Sequence, residues 1–252
     1  MSQRQEAGAP GPAIVLIDPQ LGENIGMVAR AMLNCGLGDL RLVRPRDGWP
    51  SRQAESAASG AGDILARARL FETTGEAVAD LHRLYAMTAR PRGLTKPLAS
   101  PRQVAAEIHA GAGAGRAAGV LLGPERSGLT NDDVALADVL VRVPLNPAFT
   151  SLNLAQAVLV LGYEWFLAGD APGAAAAAKP TGGERPATKA ELMGFFVRLE
   201  AALDQAGFLL PVEKRPTMVR NLRTLFARGS PSEQEMRTLH GIVSALTARR
   251  KP

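Results

Sequence analysis

Five short apolar runs, at residues 13–17, 40–43, 84–87, 118–122 and 139–143, alternate with segments whose apolar residues recur at helical spacing. Unbroken, β-branched runs suit strands covered on both faces, and strands separated by helices suit parallel pairing, which needs a crossover. The pattern therefore predicts an α/β fold around a parallel sheet. Ser100-Pro-Arg-Gln103 has the form of a capping box with proline at the first helical position. It predicts a helix toward Ala110, followed by a Gly-Ala loop over residues 111–115. That loop contains Gly113-x-Gly115-x-x-Ala118, but it precedes a strand where a dinucleotide fingerprint would follow one.

With 252 residues, 46% of them hydrophobic, the chain can bury one substantial core and a small second unit. Residues 1–11 are polar and expected to be disordered, and residues 12–168 carry the α/β pattern. Residues 169–187 are mostly Ala, Gly and Pro and are expected to be a linker. In residues 188–252, Thr188-x-x-Glu191 and Ser230-Pro-Ser-Glu233 predict helix starts, and Pro216 can open a further helix. Leu192, Phe196, Leu199 and Leu203 supply one apolar face for this helical tail, which needs something to dock on.

One cysteine, Cys35, excludes an internal disulfide, and the scattered His82, His109 and His240 lack metal-ligand spacing, so no metal is expected. Cys35 suits a small packed residue. The longest apolar helical pattern, residues 152–167, is interrupted by Asn153, Gln156 and Glu164, so the expectation is a soluble, cytoplasmic chain without a membrane partner. The net charge of +5 is concentrated: residues 185–252 hold 12 Lys or Arg against 6 Asp or Glu. Such a surface attracts polyanions, with Arg215, Arg220, Arg223, Arg228 and Arg237 as candidate RNA-binding residues. Aromatic residues are only 4%, so recognition is expected to rest on phosphate and shape more than on base stacking.

Between the last apolar run and the longest helical pattern stand Asn146, Thr150, Ser151 and Asn153. Ligands of parallel sheets bind where strand ends meet helix N-termini. The plain alternative is that Thr150 or Ser151 caps the helix and Asn146-Pro147 is a turn. Residues 24–30 and 121–129 lie in the same relation to the first and fourth runs. Residues 123–130 have the glycine spacing of a phosphate-binding loop, but Leu129 stands where its lysine would be, which argues against ATP hydrolysis. No Gly-x-Ser-x-Gly elbow is present, and nothing nominates a histidine partner for Ser127 or Ser151.

In this order and spacing, Asn24-Ile-Gly-Met-Val-Ala-Arg30, Leu121-Leu-Gly-Pro-Glu-Arg-Ser-Gly-Leu129 and Pro144-Leu-Asn-Pro-Ala-Phe-Thr-Ser-Leu-Asn-Leu-Ala-Gln-Ala-Val158 resemble the three motifs of the SpoU or TrmH family of RNA ribose 2'-O-methyltransferases, within the SPOUT superfamily. The likeness spans residues 12–168, and the tail from Thr188 resembles the extension of TrmJ-type tRNA methyltransferases. The resemblance implies a C-terminal trefoil knot, S-adenosylmethionine as cofactor, tRNA as substrate, a homodimer, and methylation of the first nucleotide of the anticodon loop, nucleotide 32. Carried over residue by residue, it puts the cofactor against Met87, Thr88, Ala89, Leu122, Gly123, Val143, Leu145, Thr150, Ser151, Leu152 and Asn153.

It also makes Arg30 the key residue toward the 2'-hydroxyl, with Asn24, Glu125 and Ser151 organising the pocket. A guanidinium, with a pKa above about 12, is a poor base, so Arg30 is expected to orient ribose and phosphate by forked hydrogen bonds and to stabilise oxyanion charge. Proton abstraction by Arg30 is the second possibility. Three other readings compete. Ribosomal RNA methylation is disfavoured because such relatives commonly carry an extra domain ahead of the first strand, and a non-catalytic RNA-binding factor because the motif residues are intact. A Rossmann-type nucleotide enzyme needs a glycine-rich first βα turn, and residues 18–24 hold one glycine.

Overall fold

The computed structural model describes residues 11–88, 96–169, 185–229 and 231–248. Residues 1–10, most of the expected linker (170–184), Ala89 and Ser230 lie outside the described residues. The strands are β1 (Ala13–Ile17), β2 (Leu40–Val43), β3 (Arg69–Phe71), β4 (Arg83–Met87), β5 (Leu98–Ala99), β6 (Ala118–Leu122) and β7 (Val139–Val141). They form one sheet in the order β3-β2-β1-β6-β4-β7-β5, and every pairing is parallel. Their carboxyl ends therefore share one edge. The helices of this layer are α1 (Gly22–Asn34), α2 (Arg52–Ala58), α3 (Gly62–Ala66), α4 (Thr74–Ala77), α5 (Pro101–Gly113), α6 (Asn131–Leu136) and α7 (Leu154–Gly169).

The two-residue period of a strand divides the core. In β1, Ile14 and Leu16 join one apolar layer with Ile25 and Val28 of α1, Val104 of α5 and Val158 of α7. Ala13, Val15 and Ile17 join the other, with Ala77 of α4 and Val134 of α6. Leu16 has no exposed surface, so truncation to alanine would cost about 2–5 kcal/mol.

The α/β architecture matches the expectation, and several boundaries shift. The capping box at Ser100 and Gln103 forms, but α5 continues to Gly113, so only the end of the expected 111–115 loop is loop. The left-handed φ of +72° at Gly115 then turns the chain toward β6. The strand expected over 139–143 stops at Val141, and the helix expected from residue 152 starts at Leu154.

The tail comprises α8 (Lys189–Gln205), a 3-10 turn (Val212–Lys214), α9 (Arg215–Ala227) and α10 (Glu233–Ala248). The box at Thr188 and Glu191 forms as expected. The one expected at Ser230 and Glu233 is made two residues later: the Ser232 N–H donates to Glu235 Oε2 at 2.7 Å, and the Glu235 N–H donates to Ser232 Oγ at 3.2 Å. The tail has its own core of Leu192, Phe195, Phe196, Ala227, Met236 and Val243. Phe195, absent from the expected apolar face, is 1% exposed and meets Phe226 edge-on at 5.1 Å, whereas Leu203 is half-buried outside the cluster.

The tail docks on the first unit. Backbone N–H groups of Lys189 and Ala190 donate to Leu81 O (2.8 Å) and Ala79 O (3.0 Å). Lys189 Nζ reaches both carboxylate oxygens of Asp138, at 2.7 and 2.8 Å, with both side chains buried. Asp138 Oδ2 also accepts the Leu84 N–H at 2.7 Å, so one carboxylate joins α8 to the amino ends of β4 and β7.

Candidate active site

At the shared carboxyl edge, β1, β6 and β7 deliver the loops that contain the three sequence motifs. Glu125, after β6, accepts the Gln20 N–H on Oε2 at 3.0 Å and the Asn24 Nδ2 on Oε1 at 2.7 Å. Asn24 is buried in the first turn of α1, and its Oδ1 accepts a hydrogen bond from Asn153 Nδ2 at 3.1 Å. One polar chain thus runs from the β1 loop through Glu125 and Asn24 to Asn153. A buried amide is costly unless satisfied, so these bonds hold three loops in register as well as holding their own members.

Asn153 also caps α7. Its Oδ1 accepts the Ala155 N–H at 2.8 Å, while Gln156 Oε1 accepts the Asn153 N–H at 2.9 Å. The cap therefore falls on Asn153, and neither Thr150 nor Ser151 takes it. Asn153-x-x-Gln156 was the readable signal for that reciprocal cap. Asn146 behaves as the plain alternative expects: its Oδ1 accepts the Ala148 N–H, and its carbonyl accepts the Phe149 N–H.

Of the residues expected to meet the cofactor, Leu122 is buried, and Met87, Thr88, Gly123, Val143, Leu145 and Leu152 are half-buried. Thr150, Ser151 and Asn153 are exposed, and Ala89 lies outside the described residues. The Thr88 N–H donates to Val141 O at 3.1 Å, tying the β4 loop to the end of β7. A Cβ on Gly123 would lie 2.2 Å from Leu129 N, so the glycine lets the β6 loop fold back on itself. Gly26 has a similar reason: a Cβ there would lie 2.2 Å from Ala54 O of α2.

Arg30, two turns beyond Asn24 on α1, is exposed and has no ion pair among the described residues. Asp18, at the start of the same β1 loop, is held by the fork of Arg44, with Nε to Oδ1 and Nη2 to Oδ2 both at 3.0 Å. Glu23 does not pair with Arg30 either. The guanidinium is thus exposed without an ion-pair partner among the described residues.

The five tail arginines are more occupied. Arg215 pairs with Asp204, Arg220 with Asp132 of α6, Arg223 with Glu200, and Arg237 with Glu233, while Arg228 is also engaged. Apart from Glu233, which stands four positions before Arg237, sequence patterning gave no hint of these partners, which lie up to 88 positions away. No His, Cys, Asp and Glu grouping suited to a metal occurs among the described residues, and no described helix is long and apolar enough to cross a membrane.

The profile of the SpoU rRNA Methylase family matches residues 11–163. The chain belongs to the SpoU methylase family. The profile of the tRNA methyltransferase TrmJ C-terminal domain matches residues 190–252, which places this SpoU member with relatives that carry the helical tail. It is 37% identical, over 92% of this chain and 91% of the relative, to the tRNA (cytidine/uridine/adenosine-2'-O-)-methyltransferase TrmJ of Pseudomonas aeruginosa. The crystal structure of TrmJ from Z. mobilis ZM4 superposes with a TM-score of 0.84 at 49% identity, over 94% of this chain and 99% of that one. The SpoU methyltransferase AviRb from Streptomyces viridochromogenes, solved in complex with AdoMet, shares the fold at 18% identity and a TM-score of 0.50, over 63% of this chain and 60% of that one.

Proposed function

We propose that this SpoU methylase transfers a methyl group from S-adenosylmethionine to a ribose 2'-hydroxyl of tRNA, at nucleotide 32 of the anticodon loop. The observation that carries the reading is the hydrogen-bonded chain from Gln20 through Glu125 and Asn24 to Asn153, which joins all three motif loops at one sheet edge. The tail favours tRNA over ribosomal RNA as substrate, since it matches the TrmJ C-terminal domain.

The residues fit the cofactor by their chemistry. Met87, Val143, Leu145 and Leu152 offer half-buried apolar surface for an adenine, and the ends of β4, β6 and β7 supply main-chain groups for its edge. Thr88, Ala89, Leu122, Gly123, Thr150, Ser151 and Asn153 complete the proposed lining. The cofactor supplies a methyl group already activated on a sulfonium, so the protein's task is alignment. Arg30 orients the ribose and neighbouring phosphate with its fork and stabilises charge developing on the 2'-oxygen. Glu125, locked on both oxygens, fixes Asn24 and through it the start of the helix that carries Arg30. Ser151, exposed and without a hydrogen bond among the described residues, is free to turn toward ligand.

The trefoil knot, in the C-terminal half of the first unit, belongs to the same reading, as does a cytoplasmic location. So does a homodimer, which the exposed Leu21, Met27 and Leu33 around α1 and Leu159, Tyr163 and Phe166 on the adjoining α7 support. Tail arginines would have to exchange an internal carboxylate for a phosphate to grip RNA. The test is transfer of labelled methyl from S-adenosylmethionine to unmodified total tRNA by wild type and Arg30→Ala, with nuclease mapping of the product. Label at nucleotide 32 that disappears in the variant is expected. No transfer to tRNA despite cofactor binding, or transfer to ribosomal RNA alone when both RNAs are offered, would overturn the reading.

A further inference from the structure

Most described cationic side chains have a polar partner. Arg41 is shared by Asp39 and Asp80, Arg44 is held by Asp18, and Arg102 by Glu164. Arg46, Arg52 and Arg126 differ: each is exposed, and among the described residues none has a side-chain hydrogen bond or ion pair. They come from two separate segments, the one from Arg46 to the start of α2 and the loop after β6, and both segments meet residues 19–24.

The Arg46 N–H donates to Pro19 O at 3.0 Å, and the Gly22 N–H donates to the neighbouring Asp47 Oδ2 at 3.2 Å, so the β2 loop lies along the start of α1. Arg52 begins α2 directly after Ser51, whose Oγ would be 2.2 Å from a Cβ on Gly22. Arg126 follows Glu125, which is fixed to Gln20 and Asn24. All three arginines therefore border residues 19–24, the segment leading into Asn24. The nearby acids are largely committed: Asp18 to Arg44, Asp47 to the Gly22 N–H, and Glu125 to its two donors. Glu23 and Glu55 are the exposed exceptions. The three guanidiniums are forked donors that lack partners among the described residues, which is what a phosphodiester backbone needs.

We propose that Arg46, Arg52 and Arg126 form a rim on the catalytic unit that grips RNA phosphates and sets the strand beside the reacting ribose. This rests on the RNA-methylating reading above. The rim positions the strand and takes no part in methyl transfer itself, since phosphate contacts fix register without doing chemistry.

The experiment measures binding of unmodified tRNA by the full-length protein across salt concentrations, together with steady-state methyl transfer. Each phosphate contact contributes about 0.7–0.9 to the slope of log affinity against log salt, so R46A/R52A/R126A should lower the slope by about 2–2.7. The KM for tRNA should rise with kcat nearly unchanged, and S-adenosylmethionine affinity and the unfolding midpoint should stay at wild-type values. R46K/R52K/R126K, which keeps the charge, should recover most of the slope. A triple alanine variant with wild-type slope and KM would overturn the rim while leaving the methyltransferase reading intact. Loss of cofactor affinity in that variant would overturn it as well, by showing a structural role. Wild type that binds and methylates no RNA would overturn the functional reading and the rim together.

Discussion

Lys189→Met tests how the tail is held. The lysine amine lies 2.7 and 2.8 Å from the two oxygens of Asp138, and the side chains are 7% and 3% exposed. Removing the cation leaves a buried carboxylate with the Leu84 N–H as its remaining donor, a loss of about 3–5 kcal/mol for half of a buried pair. With a urea m-value of about 3 kcal/mol/M, the midpoint should fall by about 1–1.7 M. Asp138→Asn alone should cost a similar amount, because it strands the ammonium. In the double variant, the amide oxygen that Asp138→Asn introduces can still accept the Leu84 N–H and no charge is left buried, so the loss should shrink to about 1–2 kcal/mol. Urea unfolding followed by circular dichroism and by tryptophan fluorescence, with coincident transitions, supplies the double-mutant cycle. A midpoint for Lys189→Met within about 0.3 M of wild type at unchanged m, or single losses that simply add in the double variant, would refute the reasoning.

Gly26→Ala should push α1 from α2, because its Cβ would meet the Ala54 carbonyl; a loss of about 1–3 kcal/mol in thermal unfolding is expected, with methyl transfer falling as Asn24 and Arg30 move. Asn153 can be divided by chemistry: Asn153→Ala loses the α7 cap, about 1 kcal/mol, and the bond to Asn24, whereas Asn153→Asp keeps the cap acceptor but cannot donate to Asn24 Oδ1. The aspartate variant should keep the cap yet lose about 1–3 kcal/mol, because the buried Asn24 Oδ1 loses its donor and faces a carboxylate, and methyl transfer should fall by on the order of ten-fold, as turnover and calorimetry together would show. Burial lowers the Lys96 pKa from 10.5 to about 8. Between those values the unfolded chain binds a proton that the folded chain does not, so stability from Lys96 rises with pH across that window. Denaturation midpoints from pH 7 to 11 should rise less steeply in Lys96→Met.

The five central strands were legible because each is largely buried on both faces and so is mainly apolar, with Arg41 of β2 and Arg83 of β4 as the exceptions. The edge strands β3 and β5 were not: three residues beginning with an arginine and two residues after a proline carry no periodic signal. They are strands only because β2 and β7 offer hydrogen-bonding edges to them. At the site, Asn24, Glu125 and Asn153 were legible as motif members, but their mutual bonds were not. Those bonds join residues more than 100 positions apart, and Gln20 takes part through its backbone, where side-chain identity leaves no trace. The same limit explains the tail. Its excess of positive charge was visible in composition, whereas the carboxylates that occupy Arg220 and Arg223 are brought there by folding.

The position of the tail has a mechanical consequence for the site. β4 and β7 are secured at their amino ends by Asp138, through the Leu84 N–H and Lys189, and near their carboxyl ends by the Thr88 N–H on Val141 O. Those carboxyl ends lead to Met87, Thr88, Val143 and Leu145, the apolar and main-chain surface proposed for the cofactor. The two strands span five and three residues, too short to absorb a shift at one end without passing it to the other. A tail that contributed only RNA-binding charge could have been attached by any flexible linker. Anchoring it through a buried ion pair at the amino ends of β4 and β7 makes the tail part of the scaffold that holds the candidate site, whatever further contacts it makes.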